Sequence, residues 1–171
     1  MATEPTRYLG KYRGTVVNNI DPERKGRITA TVTDVLGDQP SNWAMPCFPV
    51  AGPRMGHFAV PPVGAGVWME FEQGNPSDPI WSGCWYGHER ELPPQALAGL
   101  PGVANQVLQT QLGRQTVVLS DDPVTGLTLK AASGASIVIN DAGIHIDNGQ
   151  GAKITLIGPT VTINQDALSV T

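Results

Sequence analysis

From Leu112 onward, apolar residues come in pairs two positions apart: Val117/Leu119, Leu127/Leu129, Ile137/Ile139, Ile144/Ile146, Ile154/Leu156, Val161/Ile163 and Leu168/Val170. Glycine, aspartate, asparagine or proline separates each pair from the next, at uneven intervals of about 7 to 10 residues. A period of two is that of a strand with one face turned to a core, and i, i+2 pairs are not the a/d spacing of a coiled coil. The strands so predicted, as in GIHIDNGQGAKITLIGPTVTIN over 143–164, are short, and no helical segment accompanies them to lie on their apolar side. Something must cover that side. A single chain coiling on itself would make only about three rungs of a solenoid from about 60 residues, near the minimum for a stacked repeat and with both ends open. Three copies can instead turn their pairs toward a common axis and pair strand edges between chains. The segment 112–171 is therefore expected to be a trimeric spike whose core is Val117, Leu119, Leu127, Leu129, Ile137, Ile139, Ile144, Ile146, Ile154, Leu156, Val161 and Ile163.

Residues 7–90 read as a separate all-β domain behind a short tail, 1–6. The runs YRGTVVNNID and GRITATVTDVL are rich in Val, Ile and Thr, and the turn between them opens at Asp21-Pro22 and closes at Gly26, which can take a positive φ. The stretch PCFPVAGPRMGHFAVPPVGAG is laced with prolines that cannot donate to a ladder, so it reads as loop around short edge pieces. Then VWMEFEQG places Val67, Met69 and Phe71 on one face and Trp68, Glu70 and Glu72 on the other, NPSDP turns, and IWSGCWYG returns as its partner. About five strands in about 85 residues suit a small closed barrel such as an OB-fold. Residues 91–111, with Pro93-Pro94 and the Gly99–Gly102 cluster, read as a Pro/Gly linker with one short helical turn near 103–109.

Composition narrows the function. Of 171 residues only 15% are charged and the net charge is −4, which argues against a basic nucleic-acid surface or a polybasic membrane patch. No run approaches the roughly 18 apolar residues of a membrane helix, and the start MATEPTRYLGKY has no signal-peptide core, so assembly in the cytoplasm is expected. Cys47 and Cys84 are too few and too far apart for a disulfide scaffold or a metal knuckle and are expected to be buried free thiols.

Three stretches carry a family resemblance. GKYRGTVVNNIDPERKGRITATV (10–32) followed by VPPVGAGVWMEFEQGNPSDPIWSGCWYG (60–87) resembles the OB domain of contractile-tail spike proteins: phage baseplate assembly protein V, the T4-type central spike and the VgrG proteins of type VI secretion. The shared elements are G-x-V-x-N-x-D-P with a following G-R, the P-x-V-G motif containing Gly64, and the turn of Gly74 and Pro76 that leads to P-[IV]-x-x-G. KAASGASIVINDAGIHIDNGQGAKITL (130–156) is similar to the segment that opens the same family's needle. Many relatives carry an acidic pair where this chain has Ala65-Gly66, and an aspartate where it has Asn75. The glycine and proline that the turns need are kept. No lysozyme-like segment separates the two parts. The resemblance implies an OB barrel followed by a trimeric, intertwined β-helix or β-prism needle, acting as a non-enzymatic homotrimeric spike of a contractile injection baseplate in a phage tail or related particle. It also implies a separate hub protein at the OB end, contact with inner tube or tape-measure protein, a PAAR-type tip at the other end, and only a transient encounter with the target membrane.

Other chemistries find little support. Asp121-Asp122 could be a catalytic pair, but adjacent strand residues face opposite ways and SDDPVTG is a turn sequence. His145 lies between the inward Ile144 and Ile146 and has no second histidine two residues away, so an axial metal is not expected. His57, His88 and Cys84 make no ligand spacing, and there is no phosphate-binding or dinucleotide glycine motif, so no cofactor is expected. A carbohydrate-binding or -cleaving trimeric fibre is the alternative, yet every Phe, Trp and Tyr precedes residue 90. An OB-fold single-strand binder would stack bases on Trp43, Trp68, Trp81 and Trp85, but few basic residues interleave with them.

Overall fold

A computed structural model describes residues 6–165 and 167–170; residues 1–5 of the tail, Asp166, Thr171 and the side chains of Ser169 and Val170 lie outside it. The chain divides into two compact units, Met1–Glu89 and Arg90–Thr171.

The strands of the first unit are β1 (Tyr12–Asn18), β2 (Thr29–Thr31), β3 (Met45–Pro46), β4 (Ala51–Gly52), β5 (Met55–Gly56), β6 (Gly66–Phe71) and β7 (Pro79–Trp85). Five of them form a sheet in the order β2-β1-β6-β7-β3, antiparallel except for β7 with β3, while β4 and β5 make a separate small hairpin. The sheet closes on itself. Ile28, just before β2, bridges Ala44, just before β3, through backbone bonds of 3.3 and 2.7 Å, and Thr31 bridges Pro40. Closure removes the open edges and gives the strands one enclosed face. Val67, Met69 and Phe71 of β6 are buried there between half-exposed Trp68 and Glu70, packed with Val16, Ile28, Ala30, Val32, Ala44 and Trp81. The Trp81 indole N–H donates to the Gly26 carbonyl at 3.1 Å, so its burial leaves no polar atom unpaired.

The β1–β2 turn is organised by one carboxylate. Asp21 accepts the backbone N–H of Glu23 (3.0 Å), Lys25 (2.7 Å) and Arg27 (3.2 Å), together with the Arg27 Nε and Nη2 at 3.1 and 2.7 Å. The Arg27 guanidinium, aided by those backbone donors, holds the Asp21 carboxyl well below the usual carboxylate range. Pro22 follows, and Gly26 closes the turn at φ 81°, with Phe48 and Phe58 packed where a Cβ would stand. Gly64, at φ 87°, donates its N–H to the Val16 carbonyl at 2.9 Å. Gly74, at φ 78°, has the Arg7 Cβ 2.9 Å from where its own would be. Pro76 sits in a turn in which Asn75 accepts the Ser77 N–H and donates to Asp78.

Two readings of this unit are corrected. The run GRITATVTDVL is not one strand: β2 stops at Thr31, and α1 (Thr33–Leu36) follows the fully buried Val32. A single helical turn sets Val35 and Leu36 against the core and returns the chain to the Thr31–Pro40 bridge, so closure of the barrel overrides the β-rich composition. The two cysteines are free but exposed. In β7 an extra residue intervenes, because Val67 pairs with Cys84 while Met69 pairs with Trp81, and this bulge breaks the alternation before Cys84 is reached. Beside Cys47, the Phe48 ring takes the inward place against Trp81.

In the second unit β8 (Gln106–Gln109), β9 (Gln115–Leu119), β10 (Leu127–Ala131), β11 (Ser136–Asn140), β12 (Gly143–Asp147), β13 (Lys153–Ile157), β14 (Thr160–Ile163) and β15 (Leu168–Val170) form one antiparallel sheet in chain order, each paired with the next. Within one chain this is a meander of hairpins. Side chains of the turns hold it: Asp122 Oδ1 accepts the N–H of Val124 and Thr125, Asn140 Oδ1 those of Ala142 and Gly143, and Asn148 Oδ1 those of Gln150 and Ala152.

The stretch 91–111 is not wholly a linker. It contains a 3₁₀ turn at Pro94–Leu97 and, in place of the expected helical turn, the strand β8. Val107 and Leu108 pair with Val118 and Val117, and this partnership, absent from any local periodicity, makes the segment a strand.

Two outcomes follow from this packing. Gly143 has φ 151°, and a Cβ there would run into the Leu156 carbonyl oxygen of the next strand. Gly143→Ala should destabilise the second unit by about 1–3 kcal/mol in urea or thermal unfolding. The lowered Asp21 pKa stabilises the first unit above the carboxyl's ordinary value of 3.8, and that contribution disappears as pH falls from there through the lower folded value. Thermal midpoints followed from pH 7 to pH 2 should drop below about pH 4 in the parent chain. Asp21→Asn should already be less stable at pH 7 and show a flatter acid slope.

Candidate functional site: one face of the eight-stranded sheet

Cross-strand partners lie on the same face of a sheet, so the register of the second unit assembles the apolar pairs into rows. One row runs Gln106, Leu119, Leu127, Ile139, Ile144, Leu156, Val161 along successive strands. The other runs Leu108, Val117, Leu129, Ile137, Ile146, Ile154, Ile163, Leu168. All twelve residues read from the sequence as spike core therefore share one face, two to a strand. Val170 pairs with Val161 at the end of the first row.

This face is open. Leu119, Leu127, Leu129, Ile137, Ile139, Ile146, Ile154, Ile163 and Leu168 are 36–54% exposed, and Leu108 66%. A contiguous aliphatic surface of this length, on strands with one polar face, marks an interaction surface. A recess of about 310 Å³ lies within it, walled by Ile146, Ile154 and Ile163 and rimmed by Asp147, Lys153 and Asn164. Asp147 and Lys153 pair at 2.9 Å; the ammonium, with the Gly149 N–H, holds the Asp147 carboxyl below its ordinary value.

The opposite face is different in kind. Its central row is Val107, Val118, Thr128, Val138, His145, Thr155 and Thr162, mostly short or hydroxyl-bearing side chains, with Thr116 and Val118 buried. His145 stands between Val138 and Thr155 on this side, across the sheet from Ile144 and Ile146. Asp121 and Asp122 are not held as a pair: Asp121 is exposed, and the Asp122 carboxylate is engaged by the Val124 and Thr125 N–H groups, which lower its pKa. Among the described residues no three of His, Cys, Asp and Glu come together as metal ligands.

In the first unit the tryptophans do not form one stacking platform. Trp81 is buried, Trp43 has the Arg27 guanidinium 5.7 Å from its ring, and Trp68 and Trp85 are neighbours at 6.4 Å with the Arg13 guanidinium over both. The Trp85 N–H donates to the Val67 carbonyl. Beside them Lys11 reaches Glu70 at 3.0 Å and Ser82 at 2.7 Å. This patch of the barrel's outer face is thus occupied by its own cation–π contacts and an ion pair.

Apolar doublets in the sequence do not reveal the first strand of the aliphatic face. Gln106 and Leu108 are an i, i+2 pair of which one member is polar, so a count of apolar pairs passes over them.

Residues 12–86 match the family model described as the type VI secretion system/phage-baseplate injector OB domain. Residues 105–169 match the phage baseplate V C-terminal trimerisation domain, and this match starts one residue before β8. Comparison with curated proteins gives no match. With a closed five-stranded barrel under the first model and the aliphatic eight-stranded sheet under the second, the chain belongs to the baseplate spike family of phage tails and type VI secretion systems.

Proposed function

We propose that the chain is the central spike of a contractile injection baseplate, a homotrimer that caps the inner tube and pierces the target envelope when the sheath contracts. The observation that carries this reading is the pair of aliphatic rows running unbroken from β9 to β14 on an exposed face, within the residues matched by the trimerisation model.

The dimensions favour a prism. Strands about 4.8 Å apart make the eight-stranded sheet about 34 Å long across its strands, and five residues at about 3.4 Å give it a width of about 17 Å. Three slabs about 17 Å wide, set as a triangle, stand about 5 Å from the common axis, half of the roughly 10 Å that separates packed sheets. Two inward side chains per strand fill that interior, and the threonine-rich face becomes the outside. The rows then run along the needle, and the strands cross it, so a load along the axis is carried by stacked layers of packed side chains and by the hydrogen-bond ladders between strands. The barrel would dock on a separate hub protein and meet inner tube or tape-measure protein, a PAAR-type tip would sit beyond β15, and the particle's baseplate would be the protein's location.

Light scattering or native mass spectrometry of the purified protein should give three times 18.1 kDa, stable to dilution. A monomer at micromolar concentration would refute the spike reading. Ile146→Asp puts three carboxylates on the axis between Ile137 and Ile154, and should leave the barrel folded by circular dichroism while abolishing the trimer. An unchanged trimer would show that this face is not the core.

A further inference from the structure

We propose that Gln106 forms a polar layer at the start of the needle, one carboxamide from each of three chains, which sets the axial register of the trimer. The proposal rests on the trimeric reading above and goes beyond it. The two rows offer sixteen positions on the eight strands, and fifteen of them are Leu, Ile or Val; the exception is Gln106, opposite Leu119 in the first strand. So uniform a surface specifies register poorly. A copy displaced along the axis by two strands, about 9.6 Å, keeps its strand direction and still meets aliphatic side chains at nearly every level, losing contacts only at the ends.

The carboxamide breaks this degeneracy. In register, three Gln106 side chains face one another, and each can donate an N–H to the next and accept one from the previous, which closes a ring with an oxygen and an amide from every chain used. Displaced by two strands, Gln106 of one copy lies level with Leu127 of its neighbours and is buried with no partner. A single buried amide in an otherwise apolar seam fixes register in coiled coils by the same means. Hydrogen bonds just ahead of β8 hold the backbone at its start in place. The Asn105 backbone N–H donates to the Ala96 carbonyl at 3.1 Å and its side-chain amide to the Gln95 carbonyl at 2.8 Å.

The test uses the full chain with Cys47→Ser and Cys84→Ser, and Leu168→Cys as a reporter at the far end of the second row. In register, the three reporter thiols share one level and a short tris-maleimide joins all three chains; displaced copies are not joined. With Gln106 present, linked trimer should form nearly completely. With Gln106→Leu, linking should fall several-fold, and native mass spectrometry should show larger, staggered assemblies, whereas Gln106→Asn should restore part of the linking. Equal linking with Gln106 and with Gln106→Leu, in a chain that remains trimeric, overturns the polar layer alone. A parent chain that is monomeric overturns the trimeric reading and the polar layer together.

Discussion

Eight strands carry two positions each on one face, all but one of them aliphatic, and among the described residues most of these side chains stand half-exposed or exposed. The meander leaves that face open because β8 and β15 stand at opposite edges of the sheet and, among the described residues, do not pair with each other to close it. The turns are built to keep it continuous: Asp122, Asn140 and Asn148 direct their side chains to backbone N–H groups within their own turns, and glycines at positive φ let successive strands reverse within a few residues. Burial must therefore come from other copies, and the sheet's breadth and length set what those copies can build.

The first unit solves the same problem the other way. Its sheet bends until Ile28 meets Ala44, and Val67, Met69, Phe71 and Trp81 are enclosed without help from another chain. The Asp21–Arg27 pair shows what that requires of the local design, since one nearly buried carboxylate must satisfy three backbone donors and a guanidinium for the long β1–β2 turn to hold its shape. A baseplate spike can combine these two solutions because they make different demands. The barrel supplies a module with an enclosed core of its own, with Arg13 laid over Trp68 and Trp85 on one patch of its outside, and the sheet supplies an open aliphatic face.

Much of this is legible in the residues. The alternation in VWMEFEQG places Val67, Met69 and Phe71 inward because burial on one face of a strand leaves a period of two, and the doublets after Leu112 mark seven strands for the same reason. The features that escape the sequence are not periodic. TDVL becomes a helical turn because the barrel has to close, and Cys84 comes to the surface because an extra residue in β7 shifts the phase by one. The strand β8 reads as linker because Gln106 and Gln109 hide its pattern, and only pairing with β9 reveals it.

The sequence by itself determined which residues alternate, where the turns fall, and that the second half carries more apolar surface than its own strands can hide, since these follow from the two-residue period and from the conformational demands of glycine, proline and asparagine. Only the tertiary structure decided which pairs stand side by side. Register, set by hairpin length and turn geometry, lines up residues as far apart as Leu119 and Val161 into one row, and it puts a lone glutamine at the head of that row. Local preference acts over a few residues, whereas a row is a property of the whole ladder, in which a slip of one residue on any strand would turn that strand's apolar pair to the wrong face.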